Sequence, residues 1–406
     1  MISKNISASN ELESHSEAVT VYDMTKTNPD SKGFTGALFD GQFIYFIPWK
    51  KSKGTFFGQV TRYNTQGSFT DTQSWEVYDT TKVDVNSKGF TNGSFDGRFL
   101  YLSPYHNGKH HSGQVTRYDT QSSFTSVQSW AVYDTTQVHT NSRGFTGSVF
   151  DGRYVYFVPF QIDGTTSNGQ VTRYDTQGNF TSLESWEVYD TTQIHVNSKG
   201  FHMGFFDGRY IYFVPYLLLE NGVYNGQVTR YDTIGNFNSA SSWEVYDTTA
   251  INANSKGFFG AISDGRYIYF IPYNNGNHFG QITRYDTKGS FVSAQSWDFY
   301  DTTQVHANSK GFFDAVFDGR YIYFVPHCKA PSVFHGQVTR YDTKGSFTST
   351  QSWKIYDTTQ VHANSKGFIG GVFDGKFLYL APYETEADKQ SGLVTRIDIN
   401  TSSIWK

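Results

Sequence analysis

The feature that most constrains this sequence is a motif, Ser-Lys/Arg-Gly-Phe, that recurs seven times at intervals of 54 to 57 residues. Its glycines are Gly33, Gly89, Gly144, Gly200, Gly257, Gly311 and Gly367. A length of 406 residues alone would suggest two or three domains, but a regular internal period overrides that estimate. The period predicts an architecture built from seven repeated units.

Each repeat contains four short segments with the character of β-strands, which we name a to d in chain order. Strand a, as in residues 33–39, ends in Asp-Gly, which predicts a two-residue hairpin with positive φ at both positions. Strand b, as in Arg209–Pro215, is apolar on both faces, which is typical of a strand covered on both sides. Strands c and d have consensus sequences exemplified by Gly226–Thr233 and Ser74–Thr81.

The two ends of the repeat region supply complementary parts of one unit. A copy of strand d, Val19–Thr25, precedes the first strand a, whereas the last repeat has strands a, b and c and then ends. We therefore predict an all-β, seven-bladed β-propeller with four antiparallel strands per blade, its N-terminal strand closing the C-terminal blade. Residues 18–406 would form this single domain, and residues 1–17 are expected to be a disordered tail.

Composition argues against several classes of protein. The chain has 33 Lys+Arg against 37 Asp+Glu and no basic run, so we expect no nucleic-acid partner. Its longest apolar run, Tyr210–Leu219, contains Pro215 and is too short to span a membrane. Cys328 is the only cysteine, and Met1–Ala18 lacks the apolar core of a signal peptide. We expect a cytoplasmic protein, with export by a route without a cleavable signal left open.

Three sequence patterns carry a resemblance to known propellers: Phe-Asp-Gly-Arg-Tyr-x-Tyr-Phe-x-Pro, then Gly-Gln-Val-Thr-Arg-Tyr-Asp-Thr, then Ser-Trp. Over about residues 19–405, the chain resembles a class of uncharacterised bacterial propeller repeats, and its architecture is similar to that of kelch, WD40 and lectin propellers. It lacks the Trp-Asp ending of WD40 strands and the double glycine of kelch repeats. The resemblance therefore implies the fold and no functional residue.

The face that carries the d-to-a and b-to-c loops is the predicted binding face. Variable loops on a rigid frame are where binding usually occurs, and the b-to-c loops differ among blades in length and sequence. They are Trp49–Phe57, Tyr105–Ser112, Phe160–Asn168, Tyr216–Asn225, Tyr273–Phe279, His327–His335 and Tyr383–Ser391.

The first candidate set on this face is the residue after each strand-b proline. An aromatic ring offers an apolar body, often with a polar tip, and could stack on the face of a sugar. The alternative interpretation is packing against the neighbouring blade. The seven residues are Trp49, Tyr105, Phe160, Tyr216, Tyr273, His327 and Tyr383.

The second candidate set lies in four of the d-to-a loops, where a histidine is followed two residues later by an asparagine. Such side chains could bind the hydroxyls of a ligand, although we favour the alternative that they tie the loop to itself. The histidines are His139, His195, His306 and His362, and the asparagines are Asn141, Asn197, Asn308 and Asn364.

The third set is the cation that precedes the motif glycine in every blade. Seven like charges around one axis would repel each other unless acids compensate them. The aspartate that ends each strand d, such as Asp79 for Lys88, is the expected partner, and a framework role is also expected for strand-c pairs such as Arg230 with Asp232.

Repetition of the polar residues argues against catalysis, because one reaction centre needs one set of groups in one place. Neither a metal-ligand spacing nor a cofactor motif is present, and Cys328 beside His327 points away from it on a strand. We therefore predict a multivalent ligand-recognition protein that is not an enzyme, most plausibly a lectin-like binder of glycans. The alternative is a protein-interaction scaffold that uses one asymmetric loop patch, such as Leu217–Leu219.

Overall fold

The four strands of every repeat pair in the order a-b-c-d as one antiparallel sheet in the computed structural model, which describes residues 18–405. Each strand a contacts the strands a of both neighbouring sheets, and the first blade contacts the seventh in this way, which closes the ring. The predicted all-β, seven-bladed propeller is confirmed. The predicted tail, residues 1–17, lies outside the described residues.

Strand bounds repeat closely from blade to blade. Strands a, the innermost, are Phe34–Phe39, Phe90–Phe95, Phe145–Phe150, Phe201–Phe206, Phe258–Ser263, Phe312–Phe317 and Phe368–Phe373. Strands b are Phe43–Pro48, Phe99–Pro104, Tyr154–Pro159, Tyr210–Pro215, Tyr267–Pro272, Tyr321–Pro326 and Phe377–Pro382. Strands c are Gln59–Asn64, Gln114–Asp119, Gln170–Asp175, Gln227–Asp232, Gln281–Asp286, Gln337–Asp342 and Leu393–Asp398. Strands d are Trp75–Asp79, Trp130–Asp134, Trp186–Asp190, Trp243–Asp247, Trp297–Asp301, Trp353–Asp357 and, for the seventh blade, Val19–Asp23.

Short elements connect these strands. Two-stranded ribbons lie in four b-to-c loops, at Lys50–Ser52 with Thr55–Phe56, Leu217–Leu218 with Val223–Tyr224, Cys328–Ala330 with Val333–Phe334, and Glu384–Glu386 with Lys389–Gln390. Single 3-10 turns precede strand d at Thr72–Ser74, Val127–Ser129, Leu183–Ser185, Ala240–Ser242, Ala294–Ser296 and Thr350–Ser352, and another lies at Ser402–Ile404. Others follow strand d at Met24–Lys26, Thr80–Lys82, Thr135–Gln137, Thr191–Gln193, Thr248–Ala250, Thr302–Gln304 and Thr358–Gln360.

The Asp-Gly turn between strands a and b differs from the predicted hairpin, because only its glycine has a positive φ. In the first blade, the carboxylate of Asp40 accepts hydrogen bonds from the backbone N–H groups of Gln42 and Phe43 at 2.8 and 2.6 Å. Its second oxygen accepts from the Tyr45 hydroxyl at 2.7 Å. The aspartate is therefore repeated as a side-chain clamp on the turn and does not adopt the left-handed conformation.

Neighbouring blades interlock through aromatic rings and a strand-c arginine. At the interface of the first two blades, the guanidinium of Arg62 lies 3.9 Å from the ring centroid of Phe43 in its own blade and 4.2 Å from that of Phe124 in the next. Tyr78 stacks on Trp130 across the same interface, with ring centroids 4.8 Å apart. Such stacked cations are worth about 2 kcal/mol each when water is excluded.

The N-terminal strand closes the ring as predicted, with Val19 opposite Ile397 in the antiparallel pair. Val19 stands where the other strands d have tryptophan, and the seventh blade also lacks the phenylalanine of the c-to-d turn. Trp405 takes the place of that phenylalanine. Its ring lies 5.4 Å from Tyr323, and the guanidinium of Arg340 lies 4.3 Å from its centroid.

The predicted salt bridges have different partners. Among the described residues, Lys199 is the one motif cation with a salt bridge, and its partner is Glu220, 3.1 Å away. The strand-d aspartates instead cap the following 3-10 turn, as Asp79 does for the N–H of Thr81 at 3.0 Å. Arg230 pairs with Glu244 at 2.5 Å rather than with Asp232. The strand-d aspartates and the strand-c arginines thus stabilise the framework as expected, but the salt-bridge partners predicted from the sequence were wrong.

Removal of the Trp405 ring is expected to weaken ring closure. Because the indole is 7% exposed, Trp405→Ala should lower the free energy of unfolding by about 3 kcal/mol or more. Trp405→Phe is the matched control, since six other blades have phenylalanine at the equivalent place, and its loss should be much smaller. Urea unfolding monitored by circular dichroism compares the two variants. Equal stability of Trp405→Ala and the wild type would show that the indole does not close the ring.

Candidate functional site

The residues that follow the strand-b prolines form a closed ring around the propeller axis. Each ring centroid lies 5.4 to 6.5 Å from the next, and Tyr383 stacks on Trp49 to complete the circle. In order, the members are Trp49, Tyr105, Phe160, Tyr216, Tyr273, His327 and Tyr383. All seven line one cavity of about 280 Å³. These side chains therefore pack against neighbouring blades and converge on one cavity, and their role in ligand binding stays a prediction.

The motif glycine holds each ring member in position. In the sixth blade, the carbonyl of Gly311 accepts the N–H groups of His327 and Cys328 at 3.2 and 3.3 Å. Gly311 has a φ of 66°, and a Cβ built on it would lie 1.8 Å from the carbonyl oxygen of Cys328. Since only glycine fits this approach, the repeated motif is explained by the need to place the ring.

Below the ring, the cavity is polar on one side and apolar on the other. In three successive blades a threonine hydroxyl donates to a carbonyl of the next blade, and the distance from Thr91 to Phe145 is 2.6 Å. His202 continues the series, with Nδ1 donating to the carbonyl of Phe259 at 2.8 Å. The polar side consists of Thr35, Thr91, Thr146 and His202, and the apolar side of Phe259, Phe313 and Ile369.

The floor of the cavity breaks the sevenfold symmetry most strongly. Four blades have glycine at this level, whereas the other three have Asn92, Met203 and Asp314. Asn92 and Met203 have φ values of 58° and 57°, which side-chain-bearing residues seldom adopt. The amide nitrogen of Asn92 lies 3.8 Å from the sulfur of Met203, and both residues line the cavity. These side chains narrow the channel beneath the ring.

Burial governs the ionisation of the axial groups. It lowers the pKa of His202 and of His327 to about 3, so both imidazoles are neutral near pH 7. It raises the pKa of Asp314 from its ordinary value of 3.8 to about 7, opposed by hydrogen bonds from the backbone N–H groups of Ala315 and Gly371. Burial also raises the pKa of Tyr105 to about 12. Asp314 is therefore the axial group whose charge changes near neutral pH.

The loop histidines and asparagines lie outside the axial cavity. Each histidine accepts, at Nδ1, the backbone N–H of the asparagine two residues later, at 3.1 to 3.2 Å. This geometry matches the interpretation that they tie the loop. His362 and Asn364 also border a cleft of about 420 Å³ near the closing strand. A ligand-binding role for these eight residues stays a prediction.

The leucine patch considered for a protein partner is mostly covered. Leu218 is 4% exposed, and its neighbours Leu217 and Leu219 are half-buried. The ribbon that carries them is bonded to the third blade, where Ser167 Oγ accepts the N–H of Leu219 at 2.8 Å. The ribbon therefore uses these leucines for its own packing.

Cys328 has a base in contact that sequence reasoning did not find. Its sulfur lies 3.0 Å from Nε2 of His278, which comes from the neighbouring blade, and 3.7 Å from the hydroxyl of Tyr273. Burial raises the pKa of the Cys328 thiol to about 11 and lowers that of His278. The pair is thus a neutral thiol beside a neutral imidazole, a contact that fastens two blades together.

Comparison with known proteins supports the fold. No protein-family model and no curated protein matches the chain. Its structure is similar to that of hydrazine synthase from Kuenenia stuttgartiensis, with 16% identity, a TM-score of 0.55 and coverage of 90% of this chain and 95% of that chain. It is also similar to PorZ, an essential bacterial surface component of the type-IX secretion system of Porphyromonas gingivalis, with 10% identity and a TM-score of 0.48. That match covers 88% of this chain but 36% of PorZ.

Within residues 18–405, no three His, Cys, Asp or Glu side chains are grouped as the ligands of a metal ion would be. No helix in the same range is long and apolar enough to cross a membrane.

Replacement of a motif glycine is expected to disturb the ring more than replacement of a turn glycine. Gly319 also has a positive φ, 98°, but a Cβ built on it meets nothing within 4 Å. Gly319→Ala should therefore cost about 1–2 kcal/mol of backbone strain, and Gly311→Ala should cost distinctly more because it also displaces the Cys328 carbonyl. Urea unfolding of both variants tests this. Equal losses would mean that the chain accommodates the Cβ without moving the ring.

The ionisation of Asp314 is expected to make stability depend on pH. Its folded-state pKa lies above the ordinary value, so between about pH 4 and pH 7 the folded protein holds a proton that the unfolded chain has released. The contribution of Asp314 to the free energy of unfolding should fall as the pH rises through this range. His202 and His327 oppose this trend, since they bind protons only when unfolded. The difference between the wild type and Asp314→Asn isolates the aspartate, and a difference that does not vary with pH would contradict the assignment.

Proposed function

We propose that this protein is a ligand-recognition protein whose main site is the axial cavity, and that its ligand is a carbohydrate. The observation that carries the proposal is the convergence of seven post-proline residues, six of them aromatic, around one cavity. Its volume, about 280 Å³, is near the lower end of the range of small-molecule sites, about 300 Å³. A cavity of this size accepts one small ligand or the end of a chain.

The amphipathic lining supports a sugar as the ligand. A pyranose has apolar C–H faces and a rim of hydroxyl groups, so it needs both aromatic surface and hydrogen-bonding groups. The ring and Phe259 provide the first, and the threonine side of the cavity provides the second. The enclosure also favours one ligand per chain, which replaces the expected set of equivalent sites by a single axial one.

The proposal does not require catalysis. The imidazoles of His202 and His327 are neutral and buried, and His202 Nδ1 already donates to a backbone carbonyl. The thiol of Cys328 is protonated and its contacts are with neighbouring side chains. A buried, protonated thiol suits packing rather than nucleophilic attack, and the carbonyl partner of His202 Nδ1 leaves Nε2 as an acceptor for a ligand.

A glycan array followed by isothermal titration calorimetry is expected to give one site per chain. Tyr216→Ala should abolish binding of the selected sugar because it opens the ring, whereas His306→Ala, in a peripheral loop, should leave the affinity within about twofold. The stoichiometry of the wild type decides the matter even if Tyr216→Ala does not fold. If titration gave several sites per chain, and if replacing a loop histidine by alanine weakened one of them, the protein would be multivalent and the axial site would be contradicted. A blank array would contradict the carbohydrate proposal.

A further inference from the structure

The wall of the axial cavity below the ring offers hydrogen-bond acceptors whose own protons are already used, while the side-chain amide of Asn92 is the donor at the floor. The hydroxyl protons of Thr91 and Thr146 are used on backbone carbonyls at 2.6 and 3.0 Å, so only their lone pairs remain. His202 is in the same state, because Nδ1 carries the proton that is donated to Phe259. Its Nε2 is then an acceptor, with no hydrogen-bond partner in the described part of the chain.

A carboxylate lies next to the floor, although Asp314 itself is not among the residues that line the cavity. A Cβ built on Gly260 would lie 3.4 Å from the sulfur of Met203 and 3.7 Å from Oδ1 of Asp314, which places this carboxylate beside the cavity floor. Asp314 is half-buried, and within residues 18–405 it has no salt bridge. Its hydrogen bonds come from the backbone N–H groups of Ala315 and Gly371, at 2.8 and 3.4 Å. A carboxylate held in this way lacks the counter-charge that buried acids usually have.

The aromatic ring above the floor favours a positively charged ligand, as the carboxylate does. The faces of Trp and Tyr rings attract cations, and enclosure by several such rings is a common way for proteins to bind ammonium groups. The residues that line the cavity include no lysine or arginine that would repel a cation. Lys50, the residue after Trp49, has its ammonium group 4.3 Å from the centroid of the Trp49 ring, which shows that this ring attracts a cation, and burial lowers the pKa of Lys50.

We propose that the axial cavity selects a ligand with an ammonium group, which points down between the acceptors and Asp314. This inference rests on the proposed function of the same site and narrows its ligand class from carbohydrates to amino sugars. The aromatic ring holds the body of the sugar, the threonines and His202 Nε2 accept its N–H and O–H protons, and Asp314 supplies the counter-charge. A neutral sugar would leave the carboxylate uncompensated.

Four small ligands test whether the cavity selects an ammonium group, because three of them differ from the fourth, glucosamine, in the amino group, its charge or the hydroxyls. Glucosamine and glucose differ in the amino group, N-acetylglucosamine removes its charge, and cyclohexylamine keeps the charge without the hydroxyls. We expect glucosamine to bind the wild type at least tenfold more tightly than glucose or N-acetylglucosamine, as measured by titration calorimetry. Asp314→Asn should remove this preference by lowering the affinity for glucosamine to that for glucose. Glu386→Gln, which removes an exposed carboxylate of the same face, should change neither affinity by more than about twofold.

The outcomes separate this inference from the proposed function. Equal affinities for glucosamine and glucose would overturn the selection of ammonium and leave a carbohydrate site in place. Binding of cyclohexylamine that depends on Asp314, without binding of any sugar, would support the ammonium site and overturn the carbohydrate proposal. Absence of saturable binding for all four probes would overturn both. Since the ligand comparison uses the wild type, it remains decisive if Asp314→Asn does not fold.

Discussion

The contact on which the rest of the structure depends is the arginine held between aromatic rings of two adjacent blades. A planar guanidinium can be desolvated on its faces while its edges stay hydrogen-bonded, and Arg62 does this between Phe43 and Phe124 with Glu76 at its edge. Because the same contact recurs at every blade interface, it sets one spacing and one angle between blades. Ring size, and with it the width of the axial cavity, follows from that repeated geometry.

Rotational symmetry explains why the candidate site is single although its residues are repeated. Equivalent positions on outer strands lie far apart on the rim of a propeller, whereas equivalent positions near the axis face one another. The loop histidines illustrate the first case and the ring of Trp49 and Tyr383 the second. Specificity in such a site comes from positions where the blades differ, and His202, Met203 and Asp314 are three of them.

The fold was predictable to the level of strands because the same sequence pattern occurs in all seven repeats. The copy of strand d at Val19–Asp23, which precedes the first strand a, predicted how the ring closes. The role of Trp405 was not predictable, because it is further from the end of strand c than the phenylalanines of the other blades whose place it takes. The floor of the cavity was not predicted, because its residues differ from blade to blade and the repeat pattern does not contain them. A signal was present: the two positions after the motif phenylalanine differ among blades, as in Thr35-Gly36, His202-Met203 and Phe313-Asp314, while that phenylalanine is constant.

The shared seventh blade has a consequence for synthesis on the ribosome. Among the strands of residues 18–405, Val19–Asp23 leaves the ribosome first, yet its sheet partner, Leu393–Asp398, is translated after the first six blades. Until then the nascent ring has two exposed edges, at strand Val19–Asp23 itself and at the newest blade, where other chains could pair. The entropy cost of pairing the first and last strands is only slightly larger than that of pairing strands closer in sequence, because this cost grows with the logarithm of the chain length between them. The delay therefore exposes the protein to misassembly during translation without making the finished ring less stable.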